Sequence, residues 1–148
     1  MHPLLLPPAV MIFAIIAMIL LHQHIPLMQF WDAPVSWVGV PMIVLGLAIA
    51  QWHSRLFKLR KTNINTFKDP DILVTDGLFR ISRNPMYLGF LVCLAGVWIV
   101  LGSASPLIVL AGFGLLTNHW YIPFEEQAML RKFGDTYINY KSTVRRWL

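Results

Sequence analysis

The sequence predicts an all-α fold: a polytopic integral membrane helical bundle of about four transmembrane helices, with a short C-terminal cytoplasmic helix. Three observations predict it. Hydrophobic residues fill 57% of the 148 positions and charged residues 13%, with a mean hydropathy of +0.61; soluble proteins carry about a quarter charged residues. Apolar runs of spanning length fall at about 4–21, 34–56, 85–101 and 107–124. All twelve Lys and Arg lie in two blocks. Arg55, Lys58, Arg60, Lys61, Lys68, Arg80 and Arg83 form one, and Arg131, Lys132, Lys141, Arg145 and Arg146 the other. The turns at 22–33 and 102–106 have none. That alternation is positive-inside patterning, and it places both termini in the cytoplasm, as in an inner-membrane protein. Orientation thus accounts for the +5 net charge, and no nucleic-acid partner is expected.

The first run is interrupted by Pro7 and Pro8, so the span is expected to begin near them. It lacks a basic leader and a small-x-small cleavage site, which predicts a retained span. His22, His24 and Asp32 follow in a polar turn. Histidines at i and i+2 do not share a helical face, so no metal is expected there. In the second run Trp37 and Trp52-His53 are placed at the two interfaces, and Gly39 and Gly46 lie on one face suited to close helix approach. The third run starts at Pro85 and turns back at 102–106. A connection this short makes spans three and four an antiparallel hairpin. Gly112-x-Gly114 in the fourth run is read as packing. Glu125-Glu126 open a short helix to about Phe133, with Gly134 as its C-cap, and Asp135 begins a second piece. Arg145-Arg146-Trp147-Leu148 reads as an interface anchor. The single Cys93 excludes an internal disulfide and reads as a buried apolar residue. Residues 1–148 are expected to form one domain.

Between the apolar halves lies the polar stretch 71–87, with charges of both signs. Its end, Arg83-Asn84-Pro85-Met86-Tyr87, predicts a helix start: Asn84 can cap, and Pro85 suits the first helical position. A helix N-terminus offers N–H groups and a positive dipole end to an anion. The hairpin brings Arg83–Tyr87 and Asn118–Glu126 to one membrane face. A pocket with a cation on one wall and two carboxylates on the other is the expected result.

The motifs Leu73-Val-Thr-Asp-Gly-Leu-Phe79, Arg83-Asn-Pro-Met-Tyr87, Glu125-Glu126 and Phe133-Gly134-x-x-Tyr137-x-x-Tyr140-Lys141 together resemble the isoprenylcysteine carboxyl methyltransferase family. The related phospholipid N-methyltransferases are similar over the same parts. The resemblance covers about residues 60–147 and fades over spans one and two, which are assigned to the acceptor side. It implies S-adenosylmethionine bound at the cytoplasmic face by a helical bundle without a Rossmann domain. The family's cofactor contacts fall on Asp71, Ile72, Leu73, Val74, Phe79, Asn84, Pro85, Met86 and Tyr87, and its acidic residue on Glu125, with Glu126 beside it. The chain departs from the eukaryotic pattern in two places: Asn84 stands where that pattern has His, and Tyr121 where it has Arg.

The chemistry of these residues suits such roles. A methionine carboxylate fits the helix start at Asn84–Tyr87 with Arg83. The amino group or ribose hydroxyls fit Glu125 or Glu126, and adenine fits the apolar wall of Ile72, Leu73, Val74 and Phe79. A sulfonium is compatible with the ring face of Tyr87. Arg83 and Glu125 are therefore the expected catalytic residues, with Tyr121 and His119 on the acceptor side. Methyl transfer is a direct displacement, which alignment and exclusion of water promote. An amine or phenol acceptor needs a base, with Glu125 or His119 as candidates. The expected partners are the bilayer and a lipophilic or lipid-modified acceptor. Plainer readings stand beside these. Topology explains the charge of Arg83, Tyr137 and Tyr140 suit packing, and His53 and His119 suit an interface. Two other functions compete: a membrane NADPH-dependent reductase of the sterol-reductase type, and a non-catalytic lipid-binding protein.

Overall fold

The computed structural model describes residues 6–60 and 71–148. Lys61, Lys68 and the start of the first apolar run lie outside the described residues. Among those described the fold is helical. The main helices are α1 (Pro7–His24), α2 (Gly39–Leu59), α3 (Pro85–Leu101), α4 (Leu107–Leu116), α5 (Ile122–Phe133) and α6 (Asp135–Thr143). Three helical stretches are long and apolar enough to cross a membrane: Pro7–His24, Val35–Leu59 and Leu107–Phe133. Pro85–Leu101, with 17 residues, is a shorter apolar helix.

Pro7 and Pro8 open α1, where the span was expected to begin. Their missing N–H groups fall where a helix has no intrahelical acceptor to offer. α2 and α3 pack along their lengths, and four glycines make this possible. Gly39 and Gly46 on α2 meet Gly96 and Gly89 on α3. A Cβ on Gly89 would stand 2.7 Å from the carbonyl oxygen of Gly46, and one on Gly96 2.6 Å from that of Gly39. Close backbone approach replaces side-chain interdigitation along this seam. The sequence named the α2 half of it. The α3–α4 hairpin is present but less extensive than the α2–α3 pair. The packing assigned to Gly112 and Gly114 is corrected: a Cβ on Gly112 would meet nothing within 4 Å, and one on Gly114 only the Leu91 side chain at 3.6 Å.

The expected break before Glu125 is also absent. α4 runs through a π-helical turn, Thr117–Tyr121, straight into α5. Pro123 lacks an N–H, and its ring would press on the carbonyl one turn back. The wider turn gives that carbonyl room, and the N–H of Ile122 reaches back five residues to the Thr117 oxygen. The combined helix Leu107–Phe133 has 27 residues and extends about 40 Å. A hydrocarbon layer is about 30 Å thick, so its C-terminal turns reach beyond such a layer. Gly134, at φ +48°, ends α5 as expected, and α6 turns away.

The main core gathers Met11, Ala14 and Met18 of α1 with Met86, Tyr87, Phe90 and Leu94 of α3 and Phe113, Tyr121 and Ile122. A smaller cluster joins Phe57 of α2 to Val74 and Phe79. His53 is buried beside it, stacked on Phe57 at 4.3 Å. At the opposite end His22 Nδ1 pairs with Ser103 Oγ at 2.8 Å, and Trp31 donates to the Ile99 carbonyl at 2.7 Å.

Candidate functional site

Arg83 and Tyr87 stand one turn apart where α3 begins, and each reaches a carboxylate on α5. Arg83 Nη2 donates to Glu126 Oε1 at 2.8 Å, and the Tyr87 hydroxyl donates to Glu125 Oε1 at 2.8 Å. The order is antiparallel: the residue deeper in α3 meets the earlier residue of α5. The convergence expected from the hairpin is therefore present, and both acids, in the first turns of α5, face the start of α3.

A pocket forms at this junction, lined by Leu73, Val74, Phe79, Arg83, Asn84, Glu125, Glu126, Met129, Tyr137 and Tyr140. Seven of these were expected as site residues. Met129 was not, although it lies one turn after Glu125 on the same face. Tyr137 and Tyr140 were read as packing. Both do pack, since the Tyr140 hydroxyl donates to the Phe79 carbonyl at 2.7 Å, but they also form a wall. Burial, reinforced by the Glu126 charge, pushes the Tyr137 phenol up to about 12. Burial, with Tyr137 nearby, raises Tyr140 as well. Both phenols are neutral donors at neutral pH. The pocket holds about 40 Å³, room for a few water molecules. A larger ligand must widen it; the wall Leu73–Phe79 lies outside the α-helices and ends in a short 3-10 helix, Gly77–Arg80.

The remaining expected contacts sit elsewhere. Asp71 and Ile72 are exposed and do not line the pocket. Pro85, Met86 and Tyr87 are buried, with Met86 and Tyr87 in the main core. Asn84 lines the pocket but does not cap α3 through its side chain. Its Nδ2 donates to the Arg146 carbonyl at 2.9 Å. Tyr121 is buried against Tyr87, with ring centroids 6.0 Å apart. His119 is exposed, with Nε2 3.4 Å from Asn118 Nδ2. Neither Tyr121 nor His119 lines the pocket.

Glu126 is engaged by three cations: Arg83, Arg146 at 3.0 Å and Lys141 at 3.3 Å. Burial disfavours its charge, but the hydrogen bonds from Arg83 and Arg146 outweigh that and hold its carboxyl below the ordinary range. Arg83 is also tied to the C-terminal segment. Its Nη1 donates to the carbonyls of Lys141 at 3.0 Å and Val144 at 2.6 Å. Its Nε is buried without a hydrogen-bond partner among the described residues. Among those residues, no group of three or more His, Cys, Asp and Glu is placed to hold a metal ion.

A polar pocket at the end of an apolar helical bundle, with a buried arginine and two acids on its walls, defines the class to which the chain should be compared. The phospholipid methyltransferase family model matches residues 35–136, and the chain belongs to that family. It is 30% identical over 127 residues to a probable protein-S-isoprenylcysteine O-methyltransferase of Oryza sativa subsp. indica, covering 82% of this chain and 64% of that protein. It is 29% identical over 129 residues to protein-S-isoprenylcysteine O-methyltransferase B of Arabidopsis thaliana, covering 80% of this chain and 60% of that protein. It is 40% identical over 63 residues to an uncharacterized protein of Haemophilus influenzae, covering 43% of this chain and all of that protein. The chain thus spans less than two thirds of the plant relatives' length. No solved structure matches it.

Proposed function

We propose that the chain is a membrane methyltransferase that uses S-adenosylmethionine to methylate a lipophilic or amphipathic acceptor, with residues 1–148 acting as one domain. Membership of the phospholipid methyltransferase family supports the reaction class, and the plant relatives' names supply an example of a lipid-modified acceptor. In this reading α3 is the fourth crossing segment, and the basic ends of the helices face the cytoplasm of an inner-membrane protein, with both termini on that side.

The observation that carries the reading is the buried Nε–H of Arg83. A buried donor without a partner costs about 1–3 kcal/mol, and Arg83 lines the pocket. A ligand carboxylate is the natural acceptor for it. Asn84 lines the same wall, Glu125 suits an amino group or sugar hydroxyl, and Leu73, Val74 and Phe79 give an apolar wall for a base. This donor set fits S-adenosylmethionine. The cofactor, when bound, supplies an electrophilic methyl group on sulfur. The chain's part is to orient the two reactants and exclude water. Glu125, already accepting from Tyr87, is placed to take a proton where the acceptor is an amine or phenol. Glu126, with its three cations, is assigned to holding Arg83 rather than to direct contact.

Calorimetric titration with S-adenosylhomocysteine tests the reading. Binding by the purified protein is expected, with Glu125→Ala weakening it at least about tenfold. Stabilisation by NADPH but not by S-adenosylhomocysteine would overturn the reading in favour of a reductase.

A further inference from the structure

Outside the residues already assigned, the densest set of polar contacts belongs to the C-terminal segment 141–147. It runs between the two walls of the site and bonds to both. On the α3 side, the Arg83 N–H donates to the Arg145 carbonyl at 3.0 Å. The Arg146 carbonyl accepts from Asn84 Nδ2 at 2.9 Å and from Ser82 Oγ at 3.3 Å. The carbonyls of Lys141 and Val144 accept from Arg83 Nη1. On the α4–α5 side, Arg146 Nη2 and Nε donate to the two oxygens of Glu126, at 3.0 and 3.4 Å. Arg146 Nη1 lies 3.3 Å from Asn118 Oδ1, and the Trp147 indole N–H donates to that same oxygen at 3.1 Å. The Trp147 ring packs on the main core.

We propose that Arg146 is a positioning residue of this site. It shares the Glu126 carboxylate with Arg83, and thereby fixes the Arg83 guanidinium at the pocket wall. The inference rests on the site assignment above, but it concerns a residue outside the pocket lining. The geometry divides the labour. Arg83 is the buried member, with 9% of its side chain exposed, and Arg146 is the outer member, with 32% exposed. The Glu126 carboxylate has two oxygens and accepts from both guanidinium groups, so each cation restricts the rotation of the acid that the other needs. Lys141, half exposed and at 3.3 Å, adds charge but a single flexible contact. A planar guanidinium that reaches Glu126 and Asn118 together sets an orientation that an ammonium cannot. Arg83 has one further constraint, the two carbonyls at the end of α6. Arg83 Nη1 donates twice and Nη2 once, and Nε is the guanidinium nitrogen without a partner among the described residues.

The experiment uses the full chain in detergent micelles, labelled with nitrogen-15 arginine. Arg83→Lys identifies the Nε–H resonance of Arg83. In the wild type that resonance is expected to be slow to exchange with water and to move on addition of S-adenosylhomocysteine. Arg146→Ala is expected to broaden or lose it even without ligand, and to weaken S-adenosylhomocysteine binding about tenfold or more. Arg146→Lys, which keeps the charge but not the fork, is expected to recover part of the affinity. An unchanged Arg83 resonance in Arg146→Ala, with affinity within about twofold of wild type, overturns the proposal. If Arg146→Ala does not assemble, hydrogen exchange of the wild type decides: amides of 141–147 should exchange more slowly with S-adenosylhomocysteine present, and no change overturns the proposal. If the wild type binds no S-adenosylhomocysteine, the site assignment fails, and the ligand-free Arg83 resonance still tests Arg146, or Arg146→Lys where Arg146→Ala does not assemble.

Discussion

Glu126→Gln isolates the charge at the centre of the site, because it keeps the size and one acceptor oxygen. Its cost follows from the exposure of each partner. Lys141 is 49% exposed and Arg146 32%, so their pairs with Glu126 are worth about 0–1 kcal/mol each. The Arg83 pair differs, with side chains only 9% and 10% exposed. Removing one partner of a buried pair costs about 3–5 kcal/mol, because the other charge is left uncompensated. Arg83 keeps its bonds to the Lys141 and Val144 carbonyls, and glutamine still offers an oxygen. The loss therefore falls at or just below the lower end of that range, about 2–3 kcal/mol. For a chain of this size that lowers Tm by about 5–10 °C. Thermal unfolding in detergent, followed by tryptophan fluorescence, reads it directly. Pairing Glu126→Leu with Arg83→Met removes both buried charges together and should restore more than half of the loss, while abolishing S-adenosylhomocysteine binding. A Tm for Glu126→Gln within about 1 °C of wild type would refute the view that this acid balances a buried charge.

Acid should act through the same group. Glu126 is held below its ordinary value of 4.5, so its contribution is complete above that value. It is lost as pH falls through the depressed folded value, and Glu126→Gln should flatten the acid limb of a Tm-against-pH curve below about 4.5. Gly46→Leu should separate α2 from α3, because even a Cβ at Gly46 runs into the backbone of Gly89 and Cys93. A loss above about 3 kcal/mol is expected, seen as failure to give a monodisperse particle on size exclusion. Tyr140→Phe removes the donor to the Phe79 carbonyl and should cost about 1 kcal/mol in a thermal melt, with weaker ligand binding through the freed loop wall. His53→Phe tests the opposite case. Its buried Nδ1 has no partner among the described residues, so Tm should stay level or rise by a few degrees.

The parts of this fold that local chemistry determines were legible in the sequence. Pro85 starts α3 and Gly102, in the left-handed region at φ +72°, ends it; both follow from backbone properties of single residues. The convergence of Arg83–Tyr87 with Asn118–Glu126 followed from hairpin topology, but the direct pairing of Arg83 with Glu126 did not. What escaped was long-range. Arg146 lies 20 residues from Glu126 and 28 from Asn118, and positive-inside patterning already accounted for its charge, so nothing local marked it as part of the site. The bond from Asn84 to the Arg146 carbonyl escaped for the same reason, since an Asn before Pro is equally suited to capping. Tyr121 and His119 stood near the acids in sequence, yet the π-helical turn leaves one against Tyr87 and the other exposed.

The two adjacent acids show how a single helix turn separates two tasks. Successive residues on a helix point about 100° apart, and Glu125 and Glu126 accept from different side chains. Glu125 meets a neutral phenol that is itself buried in the core; Glu126 meets three cations and thereby joins α3, α5 and the chain's last residues. The family resemblance carries its acidic residue to Glu125, with Glu126 beside it, and the two acids have different partners. A carboxylate shared by two guanidinium groups is a poor proton acceptor and a firm anchor, because its charge is already stabilised. Glu125, bonded to a tyrosine hydroxyl, also lines the pocket. The wide turn before Pro123 permits both at once: it carries the helix past the proline, so that Glu125 reaches Tyr87 in the first turn of α3 and Glu126 reaches Arg83 just before it.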